Sequence, residues 1–142
     1  MGKYVRPPKA TDERETPDDL FAMLNAEFHF SLDAAASYSN TKCSKFFTTI
    51  EDGLSQSWGG EVVWLNPPYS QSGRWVEKAY TEASQGGATV VCLLPSATDT
   101  AWWHEYATKG EIWFLRGRVR FKHMPFNAPF PSAIVVFRPY LL

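Results

Sequence analysis

The stretch that most restricts the fold is "ATVVCLLP", residues 88–95, which is apolar without alternation. A strand with one wet face alternates apolar and polar residues, so an unbroken run of this kind is expected of a parallel strand covered on both faces. Helices have to supply that cover. Residues 74–84 read as one, with Trp75, Ala79 and Ala83 available for packing and Gly86-Gly87 ending it. Ahead of it, "EVVWLN" (61–66) is a strong strand candidate, and "FHFSLD" (28–33) and "KFFTTI" (45–50) are shorter ones. Thr16, Pro17, Asp18 and Asp19 have the form of a helix start: a hydroxyl cap, Pro at the first helical position, carboxylates in the first turn. Further on, "DTAWWHEYA" (99–107) reads as helix, and "EIWFLRGRVRF" (111–121) and "PSAIVVFRP" (131–139) as two strands joined by a Pro-rich loop, 124–131. Strands alternating with helices, then two strands in succession, predict an α/β sheet, mostly parallel, with an antiparallel C-terminal strand pair.

A chain of 142 residues, 44% of them hydrophobic, suits a single domain with a core of its own. Residues 1–15 are polar and contain Pro7-Pro8, and are expected to form a flexible N-terminal arm, leaving 16–142 as the domain. The longest apolar stretches are too short to span a bilayer and the N-terminus is charged, so no membrane association and a cytoplasmic location are expected. Cys43 and Cys92 are too few and too far apart for a disulfide framework and are expected to be reduced and structural. His29, His104 and His123 lack metal-ligand spacing, and no metal is expected.

The net charge of -1 conceals an asymmetry. Asp12, Glu13, Glu15, Asp18 and Asp19 crowd the start, whereas Arg116, Arg118, Arg120, Lys122 and Arg138 make the last third basic. The period of two in Arg116, Arg118 and Arg120 fits either an anion-binding face or a solvated strand whose arginines point outward.

The chemistry is concentrated where "VVWL" stops in Asn66-Pro67-Pro68-Tyr69. Neither proline has an N–H, so the ladder cannot continue and the carbonyls beside them are free to face a crevice. Ligands of open α/β sheets bind beyond the carboxyl ends of strands. There Asn66 offers a side-chain oxygen, Pro67 a backbone oxygen and Tyr69 a flat ring. Two acceptors beside an aromatic plate suit a planar group carrying an amine, such as a nucleobase or a primary amide.

Asn66-Pro67-Pro68-Tyr69 resembles the motif of amino-directed, S-adenosylmethionine-dependent methyltransferases. The wider pattern is similar to the phage-type DNA N6-adenine methyltransferase (Dam) family, through "ETPDDLF", "LDAAAS", "EDGLSQSW", "VVWLNPPYS", "LLPSATDTAWW", "GRVRF" and "APFPSAIVVF" in that order. The resemblance implies a Rossmann-like methyltransferase sheet, trimmed because few residues separate Asp33 from Asn66, and no separate target-recognition domain. It implies that Asn66 and the Pro67 carbonyl, on the turn completed by Pro68, accept hydrogen bonds from the N6 amine of a flipped adenine, and that Tyr69 stacks on that base. For S-adenosylmethionine it implies Asp33, Ala34 and Ala35 beside the methionine moiety, Thr16 and Pro17 folded over it, and Asp52 and Leu54 beside the adenine of the cofactor. The Gly-x-Gly of larger relatives is missing, as is an obvious acidic residue for the ribose hydroxyls. DNA is the implied partner, held by Ser70, Arg74, Arg116, Arg118, Arg120 and Lys122, in the host cytoplasm if the chain is phage or prophage encoded. RNA adenine and protein glutamine are alternative acceptors for the same motif, and a non-catalytic binding module is a third reading. The recognition sequence and the oligomeric state stay open.

Overall fold

The computed structural model describes Asp12 and residues 14–142. Five strands, β1 (Leu32–Asp33), β2 (Val62–Leu65), β3 (Thr89–Pro95), β4 (Glu111–Phe114) and β5 (Ser132–Phe137), form one mixed sheet in the order β1-β2-β3-β5-β4. β1, β2 and β3 pair in parallel, while β5 runs antiparallel to both β3 and β4. The α/β class and the antiparallel C-terminal pair are as expected.

Alternation along the strands divides the core between two faces. Val63, Leu65, Val90, Cys92, Leu94, Val135 and Phe137 face α2 (Ser72–Gly86) and α3 (Ala101–Glu105), packing with Trp58, Trp75, Val76, Ala79 and Trp103. Trp64, Val91, Leu93, Ile134 and Val136 face the opposite way, toward Leu24 of α1 (Asp18–Phe28) and Phe121. All five central residues of β3, from Val90 to Leu94, are fully buried. That is why their sequence shows no polar face. α2 buries Trp75, Val76, Ala79 and Ala83 along one side and ends where Gly87 takes the left-handed conformation, φ 72°. Burial pushes the Cys43 thiol up to about 12 and the Cys92 thiol higher still, and both are free cysteines.

Several expected elements differ. Thr16 is not the cap of α1 and Pro17 is not its first helical residue. Pro17 itself is the N-cap, with φ -58° and ψ 140°, and makes no side-chain capping bond. The strand expected over 28–33 is reduced to β1, because α1 runs on to Phe28 and His29 turns left-handed. The alternating Phe28 and Phe30 belong instead to an aromatic cluster with Phe21, Trp64 and Trp113. Residues 45–50 give one bridge, Asp33 with Phe46, rather than a strand. The 99–107 helix is shortened to α3, followed by a 3-10 turn, Ala107–Lys109. β4 stops at Phe114, and Gly117 at φ 73° takes the chain out of extended form, so Arg116, Arg118, Arg120 and Lys122 lie on a connecting segment and not on a strand. The arm expected over 1–15 lies outside the described residues except for Asp12, Arg14 and Glu15.

Candidate active site

β1 and β2 are parallel neighbours with Asp33 opposite Trp64, so the residues that follow both strands emerge side by side at one edge of the sheet. The connection between β4 and β5 reaches the same edge, because Ser132 pairs with Pro95 at the end of β3 and Ser96 N donates to Pro131 O at 2.9 Å. A cleft of about 310 Å³ opens there. Its walls bring together Thr16, Asp33, Ala34, Ala35, Asp52, Leu54, Asn66, Pro68 and Arg74, residues far apart in the sequence. Pro17, Pro67, Tyr69, Ser70, Arg116, Arg118, Arg120 and Lys122 do not line it.

Asn66 directly follows β2. Its Nδ2 donates to Thr16 Oγ1 at 3.1 Å and to the Arg14 carbonyl oxygen. A carbonyl oxygen only accepts, so the NH2 group has to face it and the amide is oriented without ambiguity. Oδ1 is then turned away, and it is buried with no hydrogen-bond partner among the described residues. Leaving such an acceptor unsatisfied costs about 1–3 kcal/mol. A donor brought within reach of it would recover that cost.

Asp33, the last residue of β1, is 3% exposed. Burial pushes its carboxyl up to about 6, although the Lys42 and Ala35 N–H groups and the Lys42 charge pull it down. The Lys42 bond is 2.9 Å, to Asp33 Oδ2. A carboxylate so placed is a strong site for a cation that enters the cleft. Beside it, Asp52 has φ 57° and accepts from Leu54 N at 3.3 Å, capping the 3-10 turn Gly53–Ser55. Capping and lining the cleft are compatible, as the carboxylate has further lone pairs. Gly53 is required: a Cβ there would lie 2.1 Å from Ala34 O. Its carbonyl accepts from Trp58 Nε1 at 2.9 Å, which ties the turn to the core. Trp75 closes the cleft with its Nε1 buried and unpartnered among the described residues.

Tyr69 departs from expectation. Its ring packs 4.9 Å from Phe130 and 5.9 Å from Phe121, and the Arg14 guanidinium lies over it at 4.8 Å. The open plate is covered. Burial pushes the phenol above its ordinary value. Ser70 is engaged as well, with N and Oγ donating to the Asp12 carboxylate at 2.7 and 2.6 Å. Of the basic candidates, Arg74, Arg116, Arg118 and Arg120 are exposed. Lys122 pairs with Asp18 at 3.1 Å and Glu15 at 3.5 Å, and its backbone N donates to Glu15 O at 3.0 Å, so it fastens the N-terminal segment.

Sequence reasoning missed Arg14, Lys42, Gly53 and Trp75. Arg14 sits in what reads as a polar arm, and Lys42 acts through its backbone, which leaves no trace in residue type. Trp75 stood out only as a packing residue. Among the described residues no group of three or more His, Cys, Asp or Glu is placed to hold a metal ion, and no helix is long and apolar enough to cross a membrane.

A family model described as DNA N-6-adenine-methyltransferase (Dam) matches residues 5–139. The chain is similar to a protein of Escherichia phage T1 named DNA N-6-adenine-methyltransferase, 31% identical over 135 residues, covering 78% of this chain and 57% of that protein. It is also similar to a protein of the same name from Haemophilus phage HP1, 30% identical over 147 residues, covering 91% of this chain and 84% of that protein. The chain thus spans little more than half the length of the first relative and most of the second.

Proposed function

The chain belongs to the DNA N-6-adenine-methyltransferase (Dam) family, and on that premise we propose that it transfers a methyl group from S-adenosylmethionine to the exocyclic N6 amine of an adenine turned out of the DNA stack. The observation that carries this reading is the buried, unpartnered Asn66 Oδ1, oriented by two acceptors behind it in a cleft that also holds the Asp33 carboxylate.

The cleft fits the cofactor. Asp33 suits the ammonium of an amino acid, and small Ala34 and Ala35 let a ligand approach the backbone. Leu54 and Trp75 offer apolar wall to a flat ring, with the Trp75 N–H to spare. When bound, S-adenosylmethionine supplies an electrophilic methyl group. The order β1-β2-β3-β5-β4, with β5 reversed and no α-helix between β1 and β2, supports the trimmed, Rossmann-like methyltransferase sheet.

Asn66 Oδ1 accepts one N6 hydrogen, and the Pro67 carbonyl, which does not line the cleft as it stands, is the acceptor that the family resemblance implies for the other; together they favour a pyramidal nitrogen, whose lone pair is otherwise delocalised into the ring. The same oxygens stabilise the positive charge that develops as the new N–C bond forms, as an oxyanion hole does for the opposite sign. No strong general base is needed before attack, because the nitrogen becomes acidic once methylated and its proton then leaves to water. Tyr69, with its phenol held neutral by burial, contributes its ring face and not proton transfer. Stacking one base returns about 1–3 kcal/mol of the few spent on extruding it. Arg14 has to leave that ring face before a base can use it. Arg116, Arg118 and Arg120, exposed on the segment that meets the same sheet edge, favour a polyanionic substrate over a protein glutamine.

The test is transfer of label from S-adenosylmethionine to DNA, RNA or protein, followed by digestion of the product. N6-methyladenine from DNA is expected. Label confined to RNA or to glutamine would overturn the DNA reading.

A further inference from the structure

We propose that Thr16 is a positioning residue for the Asn66 amide, its hydroxyl acting with the Arg14 carbonyl to hold Oδ1 toward the cleft. The inference rests on the reading that Asn66 accepts the substrate amine, and it gives Thr16 a task other than holding the cofactor.

An Asn side chain ends in a soft, two-fold torsion, so its oxygen and nitrogen exchange places at little cost unless neighbours tell them apart. For Asn66 that exchange destroys function: the NH2 would face the N6 amine, donor against donor, and Oδ1 would face Arg14 O, acceptor against acceptor. The two partners prevent it. Nδ2 donates to Thr16 Oγ1 at 3.1 Å and to Arg14 O, which uses both of its hydrogens. Thr16 is 1% exposed, so water does not compete for this bond.

Thr16 is itself fixed by its neighbours. Glu15 O accepts from Lys122 N at 3.0 Å, and Pro17 O accepts from Phe21 N at 3.1 Å in the first turn of α1. With the backbone fastened on both sides of it, Thr16 has little freedom to follow a wandering amide. It explains why Thr16 stands ahead of a helix without capping it.

The test compares Thr16→Val and Thr16→Ser in the full chain, with kcat at saturating S-adenosylmethionine and unmethylated genomic DNA, cofactor affinity by calorimetry, and thermal melting. Removing one acceptor from a buried donor is expected to lower kcat about 10-fold in Thr16→Val. The cofactor Kd is expected to stay within about 2-fold, and Thr16→Ser to restore kcat. A Thr16→Val protein with unchanged kcat, or with full kcat and a weakened cofactor Kd, overturns the proposal. Should Thr16→Val fail to fold, hydrogen exchange of the Asn66 side-chain amide in the wild-type protein decides. Exchange slower there than in Thr16→Ala supports the lock, and equal exchange in the two overturns it. If the wild-type protein transfers no methyl group to DNA, the methyl-transfer reading falls, while the exchange measurement still decides whether Thr16 orients Asn66.

Discussion

The Asn66 side-chain amide donates to Thr16 Oγ1 at 3.1 Å, joining residues 50 positions apart. A turn at the end of β2 and a segment ahead of α1 are thereby one unit, and it leaves Asn66 Oδ1 buried and unpartnered among the described residues.

The buried charge of Asp33 costs stability. Its folded carboxyl is raised to about 6 from an ordinary 3.8. Between those values the folded protein holds a proton that the unfolded chain has released, so stability falls as pH rises through that window, by up to about 3 kcal/mol. Asp33→Asn is therefore expected to melt higher than wild type at pH 7, with the advantage gone near pH 4, and to bind S-adenosylmethionine at least about 10-fold more weakly. Cofactor binding by the wild type should weaken as pH falls below about 6, because a proton then competes for the carboxylate. Melting curves and calorimetry across this range check both; a variant that melts lower at pH 7 and binds normally contradicts the account.

Tyr69 should matter as a ring and not as an acid. Tyr69→Phe is expected to keep its activity, since the hydroxyl is buried away from the cleft. Tyr69→Ala should raise KM for DNA by about 10- to 100-fold, the value of stacking one base. Steady-state kinetics on both variants measure the contrast.

The exposed Arg116, Arg118 and Arg120 predict a salt effect. Replacing Arg116, Arg118 and Arg120 together by Ala should flatten the dependence of log DNA affinity on log salt by up to about 3, or about 0.9 for each phosphate that the variant no longer neutralises. Calorimetry should find cofactor affinity unchanged, as none of the three lines the cleft.

Gly53 lets the 53–55 turn approach the end of β1. Because a Cβ there would stand 2.1 Å from Ala34 O, Gly53→Ala has to push apart the turn and the end of β1. A loss of about 1–3 kcal/mol in denaturant unfolding is expected, together with weaker cofactor binding. Unchanged values for both would show that the cleft is looser than described.

Much of this arrangement was legible in the sequence. The unbroken 88–95 run announced a doubly covered strand, and the Asn66-Pro67-Pro68-Tyr69 ending announced acceptors at a strand terminus. Asp33, Asp52 and Thr16 stood out through the family resemblance, and they do converge on the cleft. What sequence could not give is tertiary. The Phe28 and Phe30 alternation looks like a strand but serves an aromatic cluster. Thr16-Pro17 looks like a helix cap, yet the hydroxyl is taken by Asn66, a pairing that no local pattern encodes. Period two in Arg116, Arg118 and Arg120 suggests a strand, and the left-handed Gly117 prevents one. Arg14 escaped notice because its covering of Tyr69 depends on the fold and not on its neighbours in the chain.

The central claim is that Asn66 Oδ1 accepts the amine that is methylated, and the direct measurement is Asn66→Ala in single-turnover transfer to DNA beside calorimetric binding of S-adenosylmethionine. The account predicts that formation of N6-methyladenine falls by about 100-fold or more, the usual cost of deleting one transition-state hydrogen bond of this kind, while cofactor affinity survives. An Asn66→Ala protein that methylates adenine at the wild-type rate would contradict it.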